Sequence, residues 1–201
     1  MSTLSWPTSR AFLPAAMRWG VNTPRMAWAA PYTGQVQSIS HLADRLTCTL
    51  SLPPVRRAEA GPREAYIMEL HSAGHWVTMY HRQRPAPVGT MRGSPTVRTS
   101  AIAGARTLVI DTSGTPTLVG GDMLGVGSQL LMVGYAGATG VAGVITVPLA
   151  LPLRAAVSAG AAVTWDKPTG TFQIVGVAPE FSYQAPGHQM GLEVMLAEVY
   201  A

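Results

Sequence analysis

At 201 residues the chain has the length for one generous domain or two small ones. Hydrophobic residues make up 47% and charged residues only 12%, about half the usual share, so either further copies and partners cover much of the surface or Ser, Thr and Gln carry the solubility. The single cysteine, Cys48, excludes an intramolecular disulfide and any cysteine-rich metal site.

The formal charge of +4 is unevenly spread along the sequence. Residues 1–106 carry 12 arginines against four acids, and residues 107–201 carry two basic residues against six acids. Such asymmetry points either to nucleic acid or to opposite faces that attract each other in an assembly. Arginine outnumbers lysine 13 to 1, which favours planar, bidentate contacts.

Residues 1–31 read as an irregular N-terminal arm, because Pro7, Pro14, Pro24 and Pro31 forbid a long helix and remove ladder donors. Trp6, Trp19 and Trp28 in this arm need burial, either against a neighbouring subunit or over their own domain. Arg10 and Arg18 bracket too short an apolar core for a signal peptide, so folding in a cytoplasm is expected. From Gln35 to Ser40 and from Arg45 to Leu52 polar and apolar residues alternate, the pattern of half-buried antiparallel strands. Cys48 falls on the apolar face of the second run and reads as a small core residue. Residues 58–71 predict one helix of two to three turns, with Pro62 in its first turn and Gly74 as its stop. Trp76–Tyr80 is a further strand, and Arg82–Gly89 has the composition of a linker, followed by the turn-rich Gly93–Val97.

A second unit starts near Ala101, with Asp111–Pro116 as a turn of the Asx and glycine kind. From Thr117 to Ile174 at least five short apolar runs are bounded by Gly, Pro and Asp, which predicts a small closed or nearly closed β unit. Met123–Leu153 contains no charge, but six glycines and two prolines cost a membrane helix ~1 and ~3 kcal/mol each, so strands are expected instead. Gly191–Tyr200 fits a strand that returns to the first domain.

No catalytic or ligand motif survives its local context. His71 and His75 are four apart, but Gly74 breaks the helix and no Glu follows His71. The glycines from Gly120 to Gly127 lack both the Gly-Lys-Ser/Thr ending of a phosphate loop and the strand–helix setting of a dinucleotide fold. No enzyme activity, metal or cofactor is expected. A single-strand nucleic-acid binder is the alternative from physical grounds, but the aromatic residues and the positive charge lie in different halves of the sequence.

An ordered set of turn signals runs through nearly the whole sequence. It comprises Phe12-x-Pro14, Pro31-Tyr-Thr-Gly34, Leu50-x-Leu-Pro-Pro54, Pro87-x-Gly89, Gly93-x-Pro95, Gly121-Asp122, Gln129-Leu130, Pro152-Leu-Arg154 and Pro168-x-Gly170-x-Phe172. In these motifs the chain resembles baseplate and tail-tip proteins of long-tailed, siphovirus-like bacteriophages, above all the distal tail protein. That resemblance implies a mainly β fold: a β-sandwich or split-barrel ring domain with one short helix (32–97, completed by 178–201) and a peripheral OB-like β-barrel (98–177). It further implies a structural virion protein, made in the host bacterial cytoplasm, whose homo-hexameric ring joins the tail tube to the tail-tip and baseplate hub proteins. No membrane contact and no specific nucleic acid are implied, although DNA passes through such a ring. Another tail-completion or tail-tip component is the alternative within this family. Trp19, Trp28, Arg45, Arg56 and Arg57 are the candidate subunit-interface residues, chosen for aromatic area and arginine charge.

Overall fold

The computed structural model describes residues 2–29, 33, 35–40, 44–177, 179–185 and 187–199. The protein is mainly β, with 43% of its residues in strands and 10% helical. In chain order, β1 (Thr3–Ser5) and β2 (Ala16–Asn22) precede a two-stranded ribbon of β3 (Arg25–Ala29) and β4 (Val36–Ser40). Then come β5 (Arg45–Leu52), β6 (Val55–Arg56), the helix α1 (Arg57–Ser72) and β7 (Trp76–Tyr80). Four short strands follow: β8 (Thr96–Val97), β9 (Thr107–Asp111), β10 (Thr117–Leu118) and β11 (Met123–Val126). After them come β12 (Gln129–Met132), β13 (Ala138–Thr139), β14 (Val144–Pro148) and β15 (Val163–Thr164). The last four are β16 (Thr169–Ile174), β17 (Tyr183–Gln184), β18 (His188–Gln189) and β19 (Leu192–Glu198). Residues 2–22, 45–79 and 171–199 cluster into one compact unit, and residues 23–44 with 80–170 into another.

The first unit is built on a six-stranded sheet of order β1-β7-β16-β19-β5-β2. Alternation in Arg45–Leu52 puts Leu46, Cys48, Leu50 and Leu52 on one face, each 0–2% exposed. The register sets Leu196 and Trp19 on either side of Cys48, so three strands contribute to one apolar row. Trp19 meets Phe172 edge to face at 5.8 Å, although β2 and β16 are three strand steps apart, roughly 14 Å in a flat sheet. Twist of the sheet and the reach of the two side chains together bridge that span. The irregular-arm expectation for residues 1–31 is corrected here. Pro7, Pro14 and Pro24 lie between strands, so they punctuate β1, β2 and β3 without removing any ladder donor from them. Trp6 is 7% exposed and packs against Phe12 and Tyr66, with its Nε1–H donated to the Phe12 carbonyl at 3.0 Å.

Helix α1 is 16 residues long, longer than the expected two to three turns, and Pro62 lies inside it instead of in its first turn. Gly61 precedes it and has no Cβ, which removes one part of the clash a proline imposes on its predecessor. Gly74, at φ 61°, follows the C-cap Ala73 and ends the helix.

The second unit closes on itself. Its sheets run β12-β11-β15 and β14-β9-β8. The bridges Val133↔Leu149 and Thr96↔Ala162 join β12 to β14 and β8 to β15, completing a circuit of six strands. Leu108, Ile110, Leu124, Ile145, Val147 and Leu153 fill it, all fully buried. Burying each such side chain contributes ~1.5–3 kcal/mol. The charge-free stretch Met123–Leu153 supplies β11 to β14, and no helix among the described residues is long and apolar enough to cross a membrane.

The linker expectation for residues 82–89 is also corrected, since Pro87 and Gly89 are buried and the backbone here is held by hydrogen bonds. One carboxylate ties this segment to the turn at Val119. Asp122, 5% exposed, accepts hydrogen bonds from the backbone N–H groups of Val88 (2.8 Å), Gly89 (3.1 Å) and Val119 (2.8 Å). A Cβ on Gly89 would lie 2.1 Å from the Thr117 carbonyl oxygen, so only glycine permits this approach. A second clamp joins Gln129 and Arg154: the Gln129 Oε1 accepts from the N–H groups of Arg154 (2.9 Å) and Ala155 (3.1 Å), and the Arg154 guanidinium donates to the Leu130 carbonyl. Residues that looked like separate turn signals in the sequence are thus partners in pairs.

Candidate assembly surface

The helix α1 starts where three chain segments meet. Arg56 is its N-cap and Arg57 its first residue, and the Arg57 N–H donates to the Gly187 carbonyl at 3.0 Å. β6, which carries Arg56, pairs with β18, so the β17–β18 hairpin lies against the helix start. Both arginines are exposed. Arg56 lines a cleft of about 340 Å³ with Arg10, His188 and Glu59, and Arg57 lines one of about 450 Å³ with Tyr183 and Gly187.

Beneath them Arg63 is fully buried. Its guanidinium donates to the Gln189 Oε1 (Nε, 2.7 Å, and Nη2), to the Pro53 carbonyl (2.7 Å) and to the Met190 carbonyl (3.2 Å). The Gln189 Nε2–H donates in turn to Glu64, as does the Tyr183 hydroxyl, so the countercharge reaches Arg63 through an amide. Burial pulls the Arg63 pKa down from its ordinary value, and the nearby Glu64 and Glu59 oppose that pull. Sequence reasoning missed this residue, because its neighbours Glu59 and Glu64 make the helix face look solvated.

The other candidate residues are scattered. Arg45, exposed, pairs with Asn22 at the end of β5. Trp19, half-buried, packs edge to face on Phe172 of its own sheet. Trp28 is 52% exposed on β3, opposite Gln37 in the register, and Val36 on β4 is 68% exposed. Among the described strands none pairs with this β3–β4 ribbon, and none pairs with the outer edge of β2.

No protein-family model matches this chain, and no curated protein matches it.

Among the described residues no three His, Cys, Asp or Glu side chains group to hold a metal ion. His75 lies beside Ser2, its Nδ1 3.2 Å from the hydroxyl, and 4.0 Å from Glu69, while His71 lines an apolar cleft of about 290 Å³ with Met68 and Phe181. Cys48 is buried and its thiol is pushed up to about 12, so it is held as the unreactive thiol.

The charge asymmetry read along the sequence does not carry over to the folded units. The first unit holds six arginines and six glutamates, whereas the second holds eight basic and four acidic residues. Each unit draws on both halves of the chain, so the two halves of the sequence do not form separate basic and acidic units.

Proposed function

We propose that this chain is a structural protein of a bacteriophage tail tip, a distal tail protein whose homo-hexameric ring joins the tail tube to the adsorption apparatus, with a sandwich-like ring unit and a peripheral OB-like barrel. The observation that carries the reading is the β3–β4 ribbon. An isolated two-stranded hairpin is marginal in water, yet this one presents Trp28 and Val36 to solvent and pairs with no other described strand. Tryptophan is the side chain most enriched at the energetic centres of interfaces. The low charged content and the unpaired edge of β2 fit the same reading. Arginine–carboxylate pairs at exposed Arg45, Arg56 and Arg57 contribute only ~0.2–1 kcal/mol each, so apolar and strand contacts supply most of the association.

Light scattering on the purified protein tests this. A ring has six times the 21.2 kDa chain mass, and Trp28→Ser shifts the mass towards the monomer without altering the fold. Deleting residues 1–31 would not serve, since it removes β1 and β2 from the sheet. A chain that stays monomeric at high concentration, alone and with a tail-tube partner, refutes the proposal.

A further inference from the structure

Within the first unit, the strand pair beside α1 sets an arginine and a histidine side by side. β6 and β18 are antiparallel, with Arg56 opposite His188 and Val55 opposite Gln189. The Arg57 N–H donates to the Gly187 carbonyl at 3.0 Å, one residue beyond Arg56 and one before His188. Arg56 and His188 are therefore a non-hydrogen-bonded pair, the kind whose Cα atoms are roughly 4.5 Å apart and whose side chains stand closest. Val55 and Gln189 take the inner face, 5% and 1% exposed. Alternation then turns Arg56 and His188 outward together, and both are exposed. Both line one cleft of about 340 Å³, whose wall also includes Arg10, Glu59 and Pro53 to Val55. Arg10 comes from a third segment, the 3-10 turn Arg10–Phe12.

This group of side chains has no counter-ion. Among the described residues, no hydrogen bond is made by the Arg10, Arg56 or His188 side chain, and no carboxylate lies within 4.0 Å of any of them. The exposed Arg98 of the second unit, by contrast, meets Asp111 at 3.2 Å. Arg56 is always charged, and His188 adds a second positive charge whenever its ring is protonated. Like charges directly opposite each other on a strand pair are destabilising. Glu59 is the one carboxylate in the wall, and its charge already acts on the buried Arg63.

We infer that this cleft binds the phosphate group of a small molecule, with Arg56 and His188 donating to its oxygens from the strand pair and Arg10 from the third segment. A guanidinium fork fits two oxygens of a phosphate or of a carboxylate equally well. Donors brought from three segments suit a tetrahedral group, whose oxygens point in several directions, better than a planar carboxylate, which presents two. At about 340 Å³ the cleft falls at the small end of ligand sites, and Pro53, Pro54 and Val55 give it an apolar side for the body of the ligand. The site is independent of the ring reading.

The test is equilibrium dialysis of the full-length protein against radiolabelled inorganic phosphate at low ionic strength, with light scattering in parallel to follow the mass. One bound phosphate per chain is expected. Arg56→Gln is expected to weaken binding about 10-fold or more at unchanged mass. Arg57→Gln removes the same charge one residue along, at a different cleft, and should leave the affinity within about 2-fold. Glu59→Gln should tighten binding, a gain that misfolding cannot imitate. Glycerol phosphate should displace the label, and acetate should not. No binding at low salt, equal losses in Arg56→Gln and Arg57→Gln, or no gain in Glu59→Gln overturns the inference. Displacement by acetate as effective as by phosphate also overturns it and assigns the cleft to a carboxylate. Displacement by an oligothymidylate without terminal phosphates, as effective as by glycerol phosphate, overturns it in favour of a nucleic-acid backbone.

Discussion

Removing the Asp122 carboxylate should unfold the second unit at much lower denaturant concentrations. In Asp122→Ala three backbone N–H groups lose a charged acceptor at once. The Gly89 N–H is buried and would be left without that acceptor, at about 1–3 kcal/mol, whereas water can reach Val88 and Val119, where each loss is nearer 0.5–1.5 kcal/mol. The sum, about 2–6 kcal/mol, is a large part of the ~5–15 kcal/mol that holds a domain together. With a urea m-value of about 2 kcal/mol/M, the midpoint of the second unit should fall by roughly 2 M. Asp122→Asn keeps the shape but turns an amide N–H towards a backbone donor, so it should also lose at least about 2 kcal/mol. Urea unfolding followed through hydrogen exchange of the 88, 89 and 119 amides reads this locally, which matters where two units need not unfold together. A midpoint shift below about 0.5 M for Asp122→Ala, or an Asn variant equal to the parent, would show that the carboxylate does not organise this segment.

Arg63→Lys should destabilise the first unit by about 2–4 kcal/mol in thermal unfolding, because an ammonium cannot reach Gln189, Pro53 and Met190 as the guanidinium fork does. His81 is 8% exposed and its pKa is lowered from 6.5, first by burial and then by Arg84. Its contribution should be whole above pH 6.5 and shrink as pH falls towards its lower folded value, a decline that urea midpoints should show flattened in His81→Gln. At the alkaline end Cys48, raised from 9.0 to about 12, and Tyr66, raised from 10.0 to about 12, keep their protons in the fold while the unfolded chain releases them. Stability should accordingly fall from pH 9 upwards, less so in Cys48→Ala. Ala142, at φ 51°, should gain about 0.5–1 kcal/mol on replacement by glycine, read as a higher melting temperature.

What was legible in the sequence was what short-range pattern encodes. Strict alternation gave β5 with its buried Cys48, and the glycine-punctuated runs after Thr117 gave short strands, although the circuit they join also needs β8 and β9 from before Thr117, and β16 goes to the six-stranded sheet instead. Prolines misled at the N-terminus, since their spacing says where strands stop and not whether strands exist. The helix runs longer than expected and carries Pro62 inside it, after a Gly61 that has no Cβ to meet the proline ring, a local arrangement that propensity alone does not weigh. Illegible altogether were the long-range polar pairs. Arg63 meets Gln189 126 positions away, and Arg84 meets Gly121 37 positions away, and neither leaves any periodic trace. Charge counted by sequence halves failed for the same reason, as the chain passes between units more than once.

The strand order of the six-stranded sheet sets a timetable for folding. β16 and β19, made last, lie in the middle, between β7 on one side and β5 on the other. While the ribosome is still working, β2 and β5 can pair with each other and β1 with β7, but the two pairs have nothing to join them. Residues 80–170 form a nearly contiguous block and can close before synthesis ends. The first unit has to wait for Leu196, with the apolar rows of β5 and β7 uncovered in the interval. Such late, non-local pairing is slow and exposes strand edges to other chains. Nascent copies made side by side on one message would meet with these edges open, before any of them is able to close its own sheet.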